Sequence, residues 1–126
     1  MNVNRLNIPL LDVKKSTSGT PLVFNGVTFL VARMGNPEYQ SAIAEAYSKV
    51  DMDSLTNEAA QEILDVLLAT HCVCGWQGLA DDTGEIPWSV ETAIELLLNP
   101  QLEELLNWVR DNSENIENFR VERQKK

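Results

Sequence analysis

The 126-residue sequence predicts a mainly α protein of the α+β class: four to five helices packed around one core, with an N-terminal β-hairpin. Three observations predict it. Apolar residues recur at helical spacing over several stretches, each opened by a capping residue. An Asn-Gly pair separates two β-branched and aromatic runs. The content of 44% hydrophobic and 23% charged residues is that of a chain that folds. One domain, residues 1–126, is the simplest division, and it is long enough to bury a core without metal or disulfide support.

Residues 1–15 read as an arm with an apolar cluster, Ile8, Leu10, Leu11 and Val13, and residues 16–21 as loop by their Ser, Thr, Gly and Pro content. The hairpin segment covers 16–34. Its strands run from Pro21 to Phe24 and from Val27 to Met34 around Asn25-Gly26, because a type I′ turn needs positive φ at both central positions. A lone two-stranded hairpin is marginal. It is therefore expected to pack on a helix, to pair with the Val13 region, or to meet a strand of another chain.

The helical body covers 36–122. Asn36 caps, and Pro37 opens, a helix over 37–50 with Ala42, Ile43, Ala46, Tyr47 and Val50 on one side. Thr56 or Ser54 caps a second helix reaching about Val73. Its face of Ala59, Ile63, Val66, Leu67 and Thr70, widened by Ala60, Leu64, Leu68 and His71, marks the central core helix. Ser89 caps a third over roughly Val90 to Leu98. Asn99-Pro100 starts a fourth to about Asp111, with Leu102, Leu105, Leu106 and Val109 inward. Ile116, Phe119 and Arg120 belong to a last helix that frays into a tail at 123–126. There is no internal repeat.

The net charge of −9 and pI near 4.5 disfavour nucleic acid, whose phosphates require a basic face, and favour a basic protein partner. Apolar runs such as Ile63 to Leu68 are far short of a membrane span, and the first fifteen residues lack a basic-then-apolar signal pattern, so a cytoplasmic location is expected. Cys72 and Cys74, read as lying on a helix, point apart by roughly 200° and are expected as reduced thiols.

No reaction is proposed by the residue pattern. His71, Cys72 and Cys74 are the only His and Cys residues, whereas a structural zinc site takes two separated ligand pairs. Asp81, Asp82, Gly84 and Glu85 lack the ligand alternation and closing Glu of a calcium loop. Catalytic residues, cofactors and metals are thus expected to be absent. Acidic clusters at Glu58, Glu62, Asp65 and at Glu91, Glu95, Glu103, Glu104 read either as wet helix faces or as guides drawing a partly basic helix into an apolar groove. The exposed hairpin edge offers strand addition between copies.

The stretch from Cys72 to Leu98 organises the rest. Asp82-Thr83-Gly84 is a turn signal, Ser89 a cap, and Trp76 and Trp88 flank the loop as expected core anchors. The order Gly75-Trp76, Leu79, Asp81-Asp82, Gly84, Pro87, Trp88-Ser89, Glu91, Ala93, Leu96-Leu97 resembles the signature region of tail assembly chaperones of long-tailed, siphovirus-type bacteriophages and prophages. Trp88 stands where that family usually has Phe, which keeps the anchor role. The resemblance implies a non-enzymatic protein that holds the tape measure protein soluble while the tail tube protein polymerises, and that leaves before the virion is complete. Trp76, Leu79, Asp81, Asp82, Gly84, Pro87, Trp88 and Ser89 would then be a protein-binding or structural signature. It also implies homo-oligomers and a frameshift-extended form of the same protein. The terminal Lys125-Lys126 fits an A-rich slippery codon run, or simply complements a helix dipole. A second class follows from charge alone: a small acidic inhibitor or nucleic-acid mimic of phage origin.

Overall fold

In the computed structural model, which describes residues 1–122, Asn25 and Gly26 take φ of 47° and 80° and form the expected hairpin turn. They join β1 (Thr20–Phe24) to β2 (Val27–Val31), with Phe24 opposite Val27. The hairpin's third partner comes from the same chain. β3 (Val73–Gln77) pairs antiparallel with β2, so the sheet order is β1-β2-β3. Helix α3 (Asn57–Cys72) therefore stops one residue short of its expected end, and the chain passes directly into a strand where a loop was expected. The physical reason lies in Val73 to Trp76, where a β-branched residue and an aromatic suit a pleated surface. A Cβ at Gly75 would stand 3.2 Å from Leu30 Cδ1, a tight contact that a small shift of the Leu30 side chain would relieve.

Phe29 and Val31 of β2 point into the core at 1% and 0% exposure, and Leu22 and Phe24 of β1 pack beside them. Pro21 and Val23 alternate with these on the other side of the pleat and are exposed. In this register their backbone groups face away from β2, and Pro21 has no N–H to offer. Pro21 thus takes one donor away from the β1 edge, while the Val23 N–H and C=O remain outward.

The N-terminal arm departs most from expectation. Residues 13–18 form a short helix, α1 (Val13–Ser18), instead of loop, and Val13 does not pair with the hairpin. Asp12 caps α1 by accepting the Lys15 N–H at 3.1 Å. The Ser16 and Thr17 hydroxyls donate to carbonyls four residues back, which is how a Ser/Thr-rich stretch settles in a helix. Leu11 bridges Arg120; the Asp12 N–H donates to the Phe119 carbonyl, and the Val121 N–H to Leu10. The last helix expected at 116–120 is a single 3₁₀ turn, Ile116–Phe119, that buries Phe119 completely. The tail assigned to 123–126 lies outside the described residues.

Three of the remaining helices start where their caps predicted, and the fourth, expected from Pro100, starts as an α-helix only at Glu103. Asn36 caps α2 (Pro37–Ser48), Thr56 caps α3, and Ser89 caps α4 (Val90–Leu98), each side-chain oxygen accepting an N–H three residues on. Asn99 caps a 3₁₀ turn, Pro100–Leu102, that leads into α5 (Glu103–Glu114). One core joins the sheet to α3, α4 and α5 through Phe29, Val31, Leu68, Ala69, Leu97 and Val109. An ion pair at 2.9 Å between Arg110 and Asp65 ties α5 to α3. Five α-helices and a small antiparallel sheet among the described residues make the protein mainly α, of the α+β class, as predicted. No helix among them is long and apolar enough to cross a membrane.

Candidate functional site

The signature residues occupy one corner beside β3, and most of their chemistry is spent on folding it. The Trp76 indole N–H on β3 donates to the Ile86 carbonyl at 2.8 Å, and the Trp88 indole N–H in the loop donates to the Val73 carbonyl at 3.1 Å. Strand and loop thus latch each other, one indole in each direction. Between the latches the Ile86 N–H donates to the Leu79 carbonyl. Two short strands, β4 (Ala80–Asp81) and β5 (Gly84–Glu85), turn around Asp82 and Thr83.

The turn is organised by Asp81 rather than Asp82. Asp81 Oδ1 accepts the Thr83 N–H at 2.8 Å and the Thr83 hydroxyl at 2.6 Å, because an Asx turn bonds the amide two residues ahead and the reversal begins at 81. Those hydrogen bonds, the Thr83 hydroxyl first, hold the Asp81 carboxyl below its ordinary range. Gly84 takes φ +133°, a backbone that L side chains rarely adopt. Asp82 and Pro87 are exposed, Leu79 is half-buried, and Ser89 caps α4. Trp88 is 38% exposed, so it is a surface latch and not the core anchor expected. Trp76 meets Phe29 edge-on at 6.2 Å.

The third tryptophan, Trp108, which the helical pattern does not single out, is half-buried and packs against the core at the buried Phe29. Its ring lies 5.2 Å from Phe24 and 5.7 Å from Phe29. The signal was present in its position three residues after the inward Leu105.

A second region carries the open surface. α3 presents a ridge of carboxylates, with Glu58 and Glu62 one helical turn apart. On one side of the ridge is a cleft of about 590 Å³ whose walls include Glu58, Glu62 and Glu103 and whose apolar lining includes Leu97, Leu98 and Leu106. On the other side is an apolar trough of about 510 Å³ lined by Val50, Leu55, Ile63, Val66 and Leu67. Glu62 borders both. Of the seven acidic residues singled out in the sequence, Glu58, Glu62, Asp65 and Glu103 converge on the cleft; Glu91, Glu95 and Glu104 do not line it. Asp65 is engaged by Arg110 and by the Gln61 amide. No Lys or Arg among the described residues forms an ion pair with Glu58, Glu62 or Glu103. A plain sequence signal marks this region: between Lys49 and Arg110 there are twelve carboxylates and no Lys or Arg. With a whole-chain charge of −9, that interval holds −12 and the remainder +3.

The thiols stay unpaired, though for a different reason from the one expected. Cys72 ends α3 and Cys74 lies on β3, so the two do not share a helix. Burial pushes the Cys72 thiol up to about 12 and raises Cys74 as well, with Glu38 adding to the latter. Both are neutral and poorly nucleophilic at physiological pH. Burial likewise raises Tyr39 to about 12. No group of three or more His, Cys, Asp or Glu side chains is placed to hold a metal ion among the described residues.

Fold and surface together define a small acidic α+β domain whose main surface features are grooves between helices. A family model described as YdaY prophage protein matches residues 34–126, from the end of the hairpin onward, and the chain belongs to this prophage family. No curated protein and no solved structure matches it.

Proposed function

We propose that this chain is a non-enzymatic tail assembly chaperone that binds the tape measure protein and keeps it soluble in the bacterial host cytoplasm during tail tube assembly, and that is absent from the mature virion. The observation that carries the reading is the α3 surface: two apolar grooves on either side of a carboxylate ridge. An apolar groove receives the sticky face of a long helical client, and the surrounding negative charge keeps the loaded complex soluble. Prophage family membership and the order of residues from Gly75 to Leu97 support the same reading. Coating so long a client takes many copies, so self-association belongs to the proposal, as do contacts with the tail tube protein and with a frameshift-extended form.

Co-expression with a tape measure protein tests it. The client is expected to remain soluble and to co-purify only when this protein is present. A client that is insoluble regardless, with nothing co-purifying, would contradict the short form acting alone. The interval of −12 also favours a second reading, an acidic inhibitor or nucleic-acid mimic. Capture of a basic host protein in the same experiment, with no effect on the client, would favour that one.

A further inference from the structure

We infer that the cleft between α3 and the α4–α5 corner is the docking site of a basic amphipathic helix, recognised by Glu58, Glu62 and Glu103 at its walls and by Leu98 and Leu106 in its lining. This deepens the chaperone reading and rests on it for the client's identity, though not for the chemistry of the site.

Charge complementarity selects the partner. The cleft sits within an interval that has no Lys or Arg of its own, and its three free carboxylates have no ion-pair partner among the described residues. Glu58 and Glu62 stand about 6 Å apart along α3, the separation of cations at i and i+4 on a helix laid alongside. Glu103 faces them across the cleft from the first turn of α5, so cations on both flanks of the partner helix find a carboxylate. Asp65 is already engaged by Arg110 and takes no part.

The apolar lining selects a helix over a strand. An extended segment lying against Leu98 and Leu106 would leave backbone N–H and C=O groups unpaired, since the helices that form the walls satisfy their own. A helix brings its backbone bonds with it and offers only apolar side chains, at i, i+3 or i+4, and i+7. The trough beyond Glu62 lacks the flanking pair of acidic walls, so it is not the preferred seat for such a partner.

The test uses the full chain and a labelled peptide of about 21 residues with Leu on one helical face and Lys on the other, a length that forms several turns. Binding is read by fluorescence anisotropy, with methyl NMR of Leu98 and Leu106. The triple variant Glu58→Gln, Glu62→Gln, Glu103→Gln is compared with Glu91→Gln, Glu95→Gln, Glu104→Gln, which removes the same charge from exposed positions of α4 and α5 that do not line the cleft. The cleft variant is expected to weaken binding at least about tenfold and to abolish the methyl shifts, while the variant away from the cleft changes affinity less than about twofold. Equal weakening by both variants would show attraction to bulk charge and overturn the assignment, as would methyl signals that do not move when the wild-type chain is loaded. Unchanged melting temperatures keep misfolding out of the comparison. If the tape measure protein is retained by the cleft variant, the cleft falls and the chaperone reading stands; if the peptide docks as described but no tape measure protein is captured, the reverse holds.

Discussion

The signature corner at 73–89 and the acidic cleft beside α3 differ in what their side chains are for. In the corner nearly every distinctive group has an intramolecular partner: two indole N–H groups on two carbonyls, Asp81 on Thr83, Ser89 on the first turn of α4. At the cleft the reverse holds, since Glu58, Glu62 and Glu103 have no ion-pair partner among the described residues and the leucines between them line open space. A recognisable order of residues can thus record how a corner folds, while the surface free to meet a partner carries no motif beyond charge bias and helical period.

Substitutions sharpen this contrast, and the largest effect belongs to the corner. Trp76→Ala removes a half-buried indole that touches Phe29 and holds the loop, and is expected to cost about 3–5 kcal/mol in denaturant unfolding. A cost below about 1 kcal/mol would break the account of the latch. The thiol at the α3–β3 junction makes the same region sensitive to alkali. The folded-state value of Cys72 lies above its ordinary 9.0, so the stabilisation from the neutral thiol is complete below pH 9 and is lost as pH rises toward about 12. Tyr39, raised from 10.0 to about 12, adds to the loss in the upper part of that window. Stability followed from pH 8 to 12 should fall, less steeply in Cys72→Ala.

Smaller effects follow. Trp88→Ala loses one hydrogen bond and partial burial, expected at about 1–2 kcal/mol, because its ring is 38% exposed. Ser89→Ala removes the α4 cap at about 1 kcal/mol. At the other extreme the cleft variant Glu58→Gln, Glu62→Gln, Glu103→Gln should unfold within about 1 kcal/mol of wild type, because the first-turn charges lost at Glu58 and Glu103, worth about 0.3–1 kcal/mol each, are offset by relief of repulsion among the carboxylates. A much larger change would mean that the cleft, like the corner, is spent on folding.

Local chemistry was readable in the sequence wherever it closes within a few residues. Asn36, Thr56 and Ser89 each cap the helix they were expected to cap and Asn25-Gly26 makes its turn, whereas Asn99 caps only the 3₁₀ turn before α5, which itself starts at Glu103 without a side-chain cap. The strand β3 was not readable because Val73 continues the apolar pattern of α3 and no Gly or Pro marks the junction; its pairing with β2 joins residues far apart in the chain, as Phe29 and Trp76, separated by 47 positions. Helix α1 was hidden by Ser and Thr that bond back to their own carbonyls. The cleft was legible in part: the acidic clusters stood out, but the meeting of Glu103 with Glu58 depends on how α4 and the Pro100 turn fold back along α3.

Hydrogen exchange on the protein alone and with bound tape measure protein, measured segment by segment, tests the central claim most directly. Binding is expected to add protection to α3 around residues 58–66 and to 97–106, and to leave the loop at 78–88 unchanged. Protection that appears in the loop and not along α3 would contradict the division between a corner that folds and a cleft that binds.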